Sequence, residues 1–475
     1  MGRRRQGGRL KAYENVEVID AGAKGKAVAR VDDKVVFITG AVPGDVCDIQ
    51  VTKKKKSFLE ARPTHFHKYS DKRIEPFCDY FGVCGGCKWQ FMSYENQLFY
   101  KNKEVVENLR RLGKVEVGEY QPILASKHTE YYRNKLEYTF SNKRWLTAEE
   151  MNVEEHEMRG LGFHVPGRFD KVVDINHCYL QQEPSNAIRN FVRDFAFEND
   201  LTFFDIRNHE GFLRNLIIRS TTGKDLMVIV AFYHEDVENR EALLNALDAK
   251  FPEITSLMYV INGKANDSIG DQDILPFKGN DHIIDQMPHF QQEGEIKFKI
   301  GPKSFYQTNA EQAHALYQLT AEFAGLKKDD VVYDLYKGTG TIANFVAPYV
   351  SKVVGVEYVP EAIEDAFVNS KLNGIDNTDF YAGDMKDVLN DEFIEKHGKP
   401  TLIITDPPRA GMHDSVVNKI LEIAADTVVY VSCNSATQAR DLSLLQEKYS
   451  VVKSRAVDMF PHTYHVENVV RLELK

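Results

Sequence analysis

The sequence predicts a multidomain chain: a small N-terminal β-barrel, then an α+β segment, then a doubly wound α/β domain. Three observations carry this. Residues 13–62 alternate apolar and polar in short runs broken by Gly and Pro, the pattern of half-buried antiparallel strands. Residues 130–300 mix strand-like and helix-like stretches with no recognisable nucleotide loop, as an α+β domain does. From 300 onward, runs rich in Val and Ile alternate with helical patterns, as expected for strands buried on both faces of a mostly parallel sheet. The expected boundaries are 10–65, 66–300 and 301–475.

Composition agrees with this division. A chain of 475 residues has room for about three domains of roughly 150 residues each. With 43% hydrophobic and 27% charged residues it is ordinary globular material, which excludes a collagen, a disordered tail and a disulfide-stapled miniprotein. The longest clean apolar run, 226–233, is far below the roughly 18 residues needed to cross a bilayer. Met1-Gly2-Arg3-Arg4-Arg5 leads into no apolar signal core, and Gln at position 6 speaks against a lipid on Gly2. The cytoplasm is the expected location, with no membrane partner. The net charge of -10 is unevenly spread: residues 1–62 balance to +6 and the remainder to -16. A basic head on an acidic body points to a polyanionic partner, although Lys53-Lys54-Lys55-Lys56 alone would serve equally as a solvated face.

Taken in order, a Gly/Arg-rich tip that looks disordered precedes the runs Val16-Glu17-Val18-Ile19, Val35-Val36-Phe37-Ile38 and Val46-Cys47-Asp48-Ile49-Gln50-Val51. Gly22, Gly25, Ala27, Ala29-Arg30, Val36-Phe37 and Pro43-Gly44-Asp45 make this stretch resemble a TRAM domain, an OB-like RNA-binding barrel. Between about 93 and 113, Leu98, Val105, Val106 and Leu109 recur at helical spacing before Gly113. This predicts a surface helix whose apolar stripe packs on the C-terminal domain.

Three of the six cysteines cluster as Cys78-x5-Cys84-x2-Cys87. In a reducing compartment such clustering favours a metal over a disulfide, and both a zinc site and an iron–sulfur cluster remain open. Either requires a fourth ligand, from Cys47, Cys178 or Cys433. Cys47 alternates within a barrel strand and reads as a small buried hydrophobe.

The C-terminal third carries four motifs on successive strand ends. Val331-Val332-Tyr333-Asp334-Leu335 runs into Tyr336-Lys337-Gly338-Thr339-Gly340-Thr341, a loop that lets a ligand approach the backbone. It lacks the third glycine of the dinucleotide fingerprint, which disfavours NAD. Glu357 ends the next strand 17 residues after Gly340, where a carboxylate can accept ribose hydroxyls. Gly383-Asp384 and Asp406-Pro407-Pro408-Arg409 end the third and fourth strands. Upstream, Ser304-Phe305-Tyr306-Gln307-Thr308-Asn309 precedes a helix, and Thr308-x-x-Glu311 reads as a capping box. This order is similar to the class I S-adenosylmethionine methyltransferases, whose Rossmann-like fold the resemblance implies. It also implies cofactor contacts at Gln307, Tyr336, Gly338, Gly340, Thr341, Glu357, Asp384 and Asp406. Lys337 stands where many relatives carry Cys.

Thr427-Val428-Val429-Tyr430-Val431-Ser432 delivers Cys433 to the same sheet edge, where a thiolate can act as nucleophile. Glu467, in His465-Val466-Glu467-Asn468-Val469, sits at the mouth of the last strand and suits a general base; His462 and His465 are alternatives, each expected on the surface. Ser432-Cys433-Asn434 and this His-Val-Glu-Asn-Val run resemble the RNA uracil-5-methyltransferase family with a four-iron cluster, in the branch acting on 23S ribosomal RNA. The resemblance implies a [4Fe-4S] cluster on Cys78, Cys84, Cys87 and Cys178, with Cys178 as the distant fourth ligand. It further implies a covalent cysteine adduct, 5-methyluridine as product, and RNA contacts at Arg133, Asn134 and Lys135 in Tyr132-Arg133-Asn134-Lys135. The partner it implies is RNA rather than DNA. A transfer-RNA uracil-5-methyltransferase and a non-enzymatic RNA-binding iron–sulfur protein are the alternatives.

Overall fold

The computed structural model describes residues 10–147, 150–152 and 155–475; the Gly/Arg-rich tip lies outside them. The described chain forms two compact units. One holds residues up to 82 with 86–104 and 460–465, the other 83–85, 105–459 and 466–475.

In the first unit six strands form one sheet. Ala12–Glu17, Val46–Lys54, Phe58–Lys68, Lys34–Ile38, Ala27–Val31 and Asp20–Ala21 are neighbours in that order. Period-two alternation turns Val16, Ala29, Val36, Ile38, Cys47 and Ile49 into one core, so the Cys47 thiol is a packing group as expected. Burial holds it protonated, its pKa pushed up to about 11. The chain is pinned at Pro43-Gly44-Asp45, where the buried Asp45 carboxylate accepts from Val42 N at 2.7 Å, Ser70 N at 2.9 Å and the Arg73 guanidinium at 2.7 and 2.9 Å. The helix Tyr94–Glu107 starts in this unit. Its Gln97 is buried and donates to the carbonyls of Trp89 and Met92.

The second unit contains two large sheets. The seven-stranded sheet runs in the order Arg168–Asp174, Gly160–Val165, Lys135–Ser141, Leu213–Ser220, Leu226–Phe232, Ser256–Ile261, Ile274–Gly279. Helices Ser185–Glu198 and Val237–Lys250 complete the mixture of strands and helices expected between 130 and 300.

The eight-stranded sheet runs Thr378–Ala382, Lys352–Glu357, Val331–Leu335, Leu402–Thr405, Thr427–Ser432, Glu467–Leu474, Tyr449–Val457, Val117–Leu124. The first five strands are mutually parallel, and Glu467–Leu474 runs antiparallel to both of its neighbours. This is the doubly wound arrangement expected, with one strand, Val117–Leu124, drawn from before residue 300 and paired parallel to Tyr449–Val457. Val105 and Leu109 join the core beneath this sheet. The chain then forms a π turn, Asn108–Leu112, closed by the Gly113 N–H on the Asn108 carbonyl. Among the described residues no helix is long and apolar enough to cross a membrane.

One local expectation fails. The helix Ala310–Ala324 is capped by Asn309, whose side chain accepts from Gln312 N, and not by a Thr308–Glu311 box. Asn309 also donates to the Met459 carbonyl at 2.9 Å. That second bond favours a carboxamide over a hydroxyl and shifts the start by one residue.

Candidate active site

The glycine loop leaves the first parallel strand at Leu335. Tyr336 and Gly338 adopt positive φ of 62° and 54°, so the chain turns sharply and presents the Gly338 N–H to Glu357 Oε2 at 2.9 Å. Glu357 Oε1 accepts from Tyr358 N and Val359 N at 2.8 and 3.1 Å. The carboxylate is thus locked in place by three backbone donors. Beside it opens a cleft of about 480 Å³ bounded by Ser304, Phe305, Gly338, Thr339, Glu357 and Asp365, among others. A Cβ on Gly338 would meet no atom within 4 Å, so the missing side chain leaves room for a ligand against the backbone. Ser304, the first residue of the run singled out in the sequence, donates its hydroxyl to Asp365 at 2.6 Å, and Asp365 had no sequence signal.

The other expected cofactor residues are not among those that bound this cleft. Tyr336 packs inward on the core. Gly340 opens the helix Thr341–Val346, and the Thr341 hydroxyl meets Tyr317 Oη at 3.2 Å. Asp384 caps the short helix Met385–Val388 and pairs with Lys386 at 3.2 Å; that N–H and ammonium hold its pKa below the usual value. Gln307 is held by its backbone: Asn134 Nδ2 donates to the Gln307 carbonyl at 3.0 Å and Asn134 N to the Thr308 carbonyl at 2.8 Å. Asn134, expected at RNA, thus holds the backbone of Gln307 and Thr308. Lys135 lies 3.9 Å from Glu137, with its pKa lowered by burial, and Arg133 N donates to the Leu180 carbonyl. Lys337 turns away from the cleft. Its buried ammonium sits 4.5 Å above the Phe380 ring and donates to the Gly338 carbonyl, and burial lowers its pKa to about 8. Gly355 makes this possible, since a Cβ there would collide with Lys337 and Phe380.

The pair expected to be catalytic is brought together by strand register. Ser432 pairs antiparallel with Asn468, so Cys433 and Glu467, one step further along each strand, come opposite each other. Asn434 caps the helix Ser435–Leu445 and donates through Nδ2 to the Arg409 carbonyl at 2.9 Å, which Thr437 also reaches. These bonds draw Asp406-Pro407-Pro408-Arg409 up to the cysteine, and the Arg409 guanidinium hydrogen-bonds the thiol. Burial, then the Glu467 and Asp406 carboxylates, push the Cys433 pKa up to about 11, while Arg409 opposes the shift. Burial, then Asp406, likewise raise Glu467 to about 8, again against Arg409. Burial alone brings Asp406 to about 7. Arg409 is the functional candidate that sequence reading missed, although the motif's terminal cation next to a conjectured thiol was a usable sign.

His462 and His465 both belong to the first unit. His462 is buried rather than on the surface, its Nδ1 3.2 Å from Gln97 Nε2 and its N–H on Gln97 Oε1. His465 is half-buried against Tyr464, ring centroids 4.2 Å apart. Of the cluster cysteines, Cys78 and Cys87 belong to the first unit, Cys84 and Cys178 to the second. Among the described residues there is no disulfide, and no group of three or more His, Cys, Asp or Glu is arranged to hold a metal ion. The four thiols suit iron–sulfur chemistry by type.

Comparison with known proteins adds to this geometry. Residues 216–475 match the family model described as tRNA (Uracil-5-)-methyltransferase, and residues 12–64 match the TRAM domain. The chain belongs to the tRNA (uracil-5-)-methyltransferase family. Similar uncharacterised RNA methyltransferases occur in Porphyromonas gingivalis, 57% identical over 96% of this chain and 99% of the relative, and in Chlorobaculum tepidum, 38% identical over 96% and 95%. The crystal structure of the Pyrococcus abyssi tRNA (uracil-54, C5)-methyltransferase in complex with S-adenosyl-L-homocysteine is 26% identical. It covers 96% of this chain and 100% of its own, with a TM-score of 0.74. Membership in the uracil-5-methyltransferase family makes the protein an RNA methyltransferase, and the non-enzymatic reading falls.

Proposed function

We propose that the protein methylates carbon 5 of a uridine in RNA, with S-adenosylmethionine as donor and a covalent adduct on Cys433. The observation that carries this is the placement of Cys433 and Glu467 on facing strand ends, with Asp406 and Arg409 beside them. The cleft at Gly338 and Glu357 supports the donor's site, with the fixed Glu357 carboxylate oriented for ribose hydroxyls. When bound, S-adenosylmethionine supplies an electrophilic methyl group.

Carbon 5 of uracil is too weak a nucleophile to take that methyl unaided. Addition of the Cys433 thiolate to carbon 6 forms a C–S bond and moves the electron pair toward carbon 5, which then bonds the methyl as the methyl–sulfonium bond breaks and its electron pair leaves with S-adenosylhomocysteine. Glu467, as carboxylate, takes the proton from carbon 5, and the returning electron pair expels the thiolate from carbon 6. Arg409 favours the thiolate, and Asn434 and Thr437 hold Arg409 in reach.

The substrate proposed is 23S ribosomal RNA in the cytoplasm. Transfer RNA is the second reading, favoured by the printed substrate of the Pyrococcus abyssi neighbour. Mapping 5-methyluridine in both RNAs from cells lacking this gene decides between them: loss from 23S RNA supports the first, loss from transfer RNA the second, and loss from neither overturns the activity. The proposal also assigns a [4Fe-4S] cluster to Cys78, Cys84, Cys87 and Cys178. It rests on their spacing and on soft thiolate chemistry, with zinc as the alternative metal.

A further inference from the structure

We propose that the seven-stranded sheet carries a second pocket, built to hold one planar base of the bound RNA in addition to the uridine presented to Cys433. The pocket is a cavity of about 280 Å³, at the lower end of the range for small-molecule sites and suited to a single base or nucleoside. Four neighbouring strands and two loops contribute its walls, among them Phe140, Phe169 and Phe204 with His164, Arg214 and Asn215.

Arg214 and Asn215 are consecutive, and in a regular strand their side chains would point to opposite faces. Here Leu213 pairs with Phe232 while Asn215 pairs with Ala231. One extra residue is therefore inserted at Arg214, a bulge of the kind that re-aims side chains at functional sites. Both side chains consequently line the same cavity.

Both are also almost completely buried, each 2% exposed, with unmet hydrogen-bonding capacity. Among the described residues Arg214 Nε and Asn215 Oδ1 have no partner, nor has the buried Nδ1 of His164. The Arg214 guanidinium is fixed: its terminal nitrogens donate to the carbonyls of Asn262, Lys264 and Asn266, and it lies 4.4 Å from the Phe204 ring centroid. An orphaned donor on a buried cation and an orphaned acceptor beside it are costly in an empty pocket. They match a ligand edge that offers an acceptor next to a donor. The pairing edge of a nucleobase has that edge, and its faces suit aromatic walls. The RNA source of the base rests on the RNA-methylating reading above; the chemistry of the pocket does not.

The test compares binding of a uridine dodecamer with that of an abasic ribose-phosphate chain of equal length, using the full-length protein. Phe169→Ala and Asn215→Ala serve as variants. Phe169 is 62% exposed, with the Arg207 guanidinium 5.4 Å from its ring, and among the described residues the Asn215 amide reaches only the Thr139 hydroxyl, at 3.5 Å, so each truncation removes one weak contact. Stacking elsewhere contributes equally to all three proteins, so a change in the base-to-abasic affinity ratio reports this pocket. The ratio should fall roughly five- to a hundredfold in either variant, with the salt slope unchanged. A ratio at the wild-type value in both overturns the proposal. If that ratio holds but equilibrium dialysis shows free uridine or adenosine bound by wild type and not by Phe169→Ala, the base comes from a free nucleoside and the RNA assignment falls. Methyl transfer to RNA from cells lacking the gene, measured in parallel, reports the catalytic reading separately.

Discussion

Replacing Glu467 with Gln should remove turnover and at the same time stabilise the protein, because the burial that tunes this carboxyl also burdens the fold. Its pKa rises from 4.5 to about 8 in the folded chain. Between those values the folded state holds a proton that the unfolded chain has released. Stability therefore falls as pH rises through the window and stays low above it. At about 1.4 kcal/mol per pH unit, the loss is roughly 3 kcal/mol at pH 7 and about 5 kcal/mol once pH 8 is passed. Gln carries no such proton. Urea unfolding of both proteins at pH 5 and pH 8 should show Glu467→Gln gaining a few kcal/mol over wild type at pH 8, and under about 1 kcal/mol at pH 5. On a denaturing gel the same variant should accumulate protein covalently bound to methylated RNA, since addition to carbon 6 proceeds and proton removal from carbon 5 does not. A stability difference independent of pH would refute the burial argument. Normal turnover would refute the base assignment and make His465 the next residue to test.

Cys433→Ala should abolish both methylation and the adduct, whereas wild type should be trapped by RNA containing 5-fluorouridine; an adduct that survives the substitution removes the nucleophile assignment. Arg409→Gln should raise the pKa of both Cys433 and Glu467 further, so the acidic limb of kcat/KM moves to higher pH; a profile that stays in place excludes electrostatic activation by Arg409. Replacing the exposed Lys54, Lys55 and Lys56 with Gln should flatten the salt dependence of RNA binding by about 2 in log–log slope if all three meet phosphates, and an unchanged slope would leave them as a solvated face. Anaerobically purified protein should show broad visible absorption from iron and sulfide, lost in Cys84→Ser; stoichiometric zinc without sulfide would overturn the cluster.

Much of the fold was legible because its determinants are local. Period-two alternation marks the barrel strands and continuous Val and Ile runs mark strands covered on both faces. The glycine loop is legible for the same reason, since positive φ at Gly338 is written in the residue itself. Sequence alone also proposed Cys433 and Glu467 as a pair, but only through motifs, for nothing local brings residues 34 positions apart together.

That juxtaposition was decided by antiparallel register, Ser432 against Asn468, a long-range pairing that a one-dimensional pattern does not encode. The same holds for the departures. The direction of Lys337 depends on the space left by Gly355 on the next strand, and Asn309 displaces Thr308 as cap because a carbonyl at Met459 is within reach. The bulge that turns Arg214 and Asn215 into one cavity exists only relative to the partner strand. Sequence specified which chemical groups were available and which local conformations they prefer. Tertiary packing decided which of them face each other and which lose water, and the energies of charges and hydrogen bonds depend on exactly those two things.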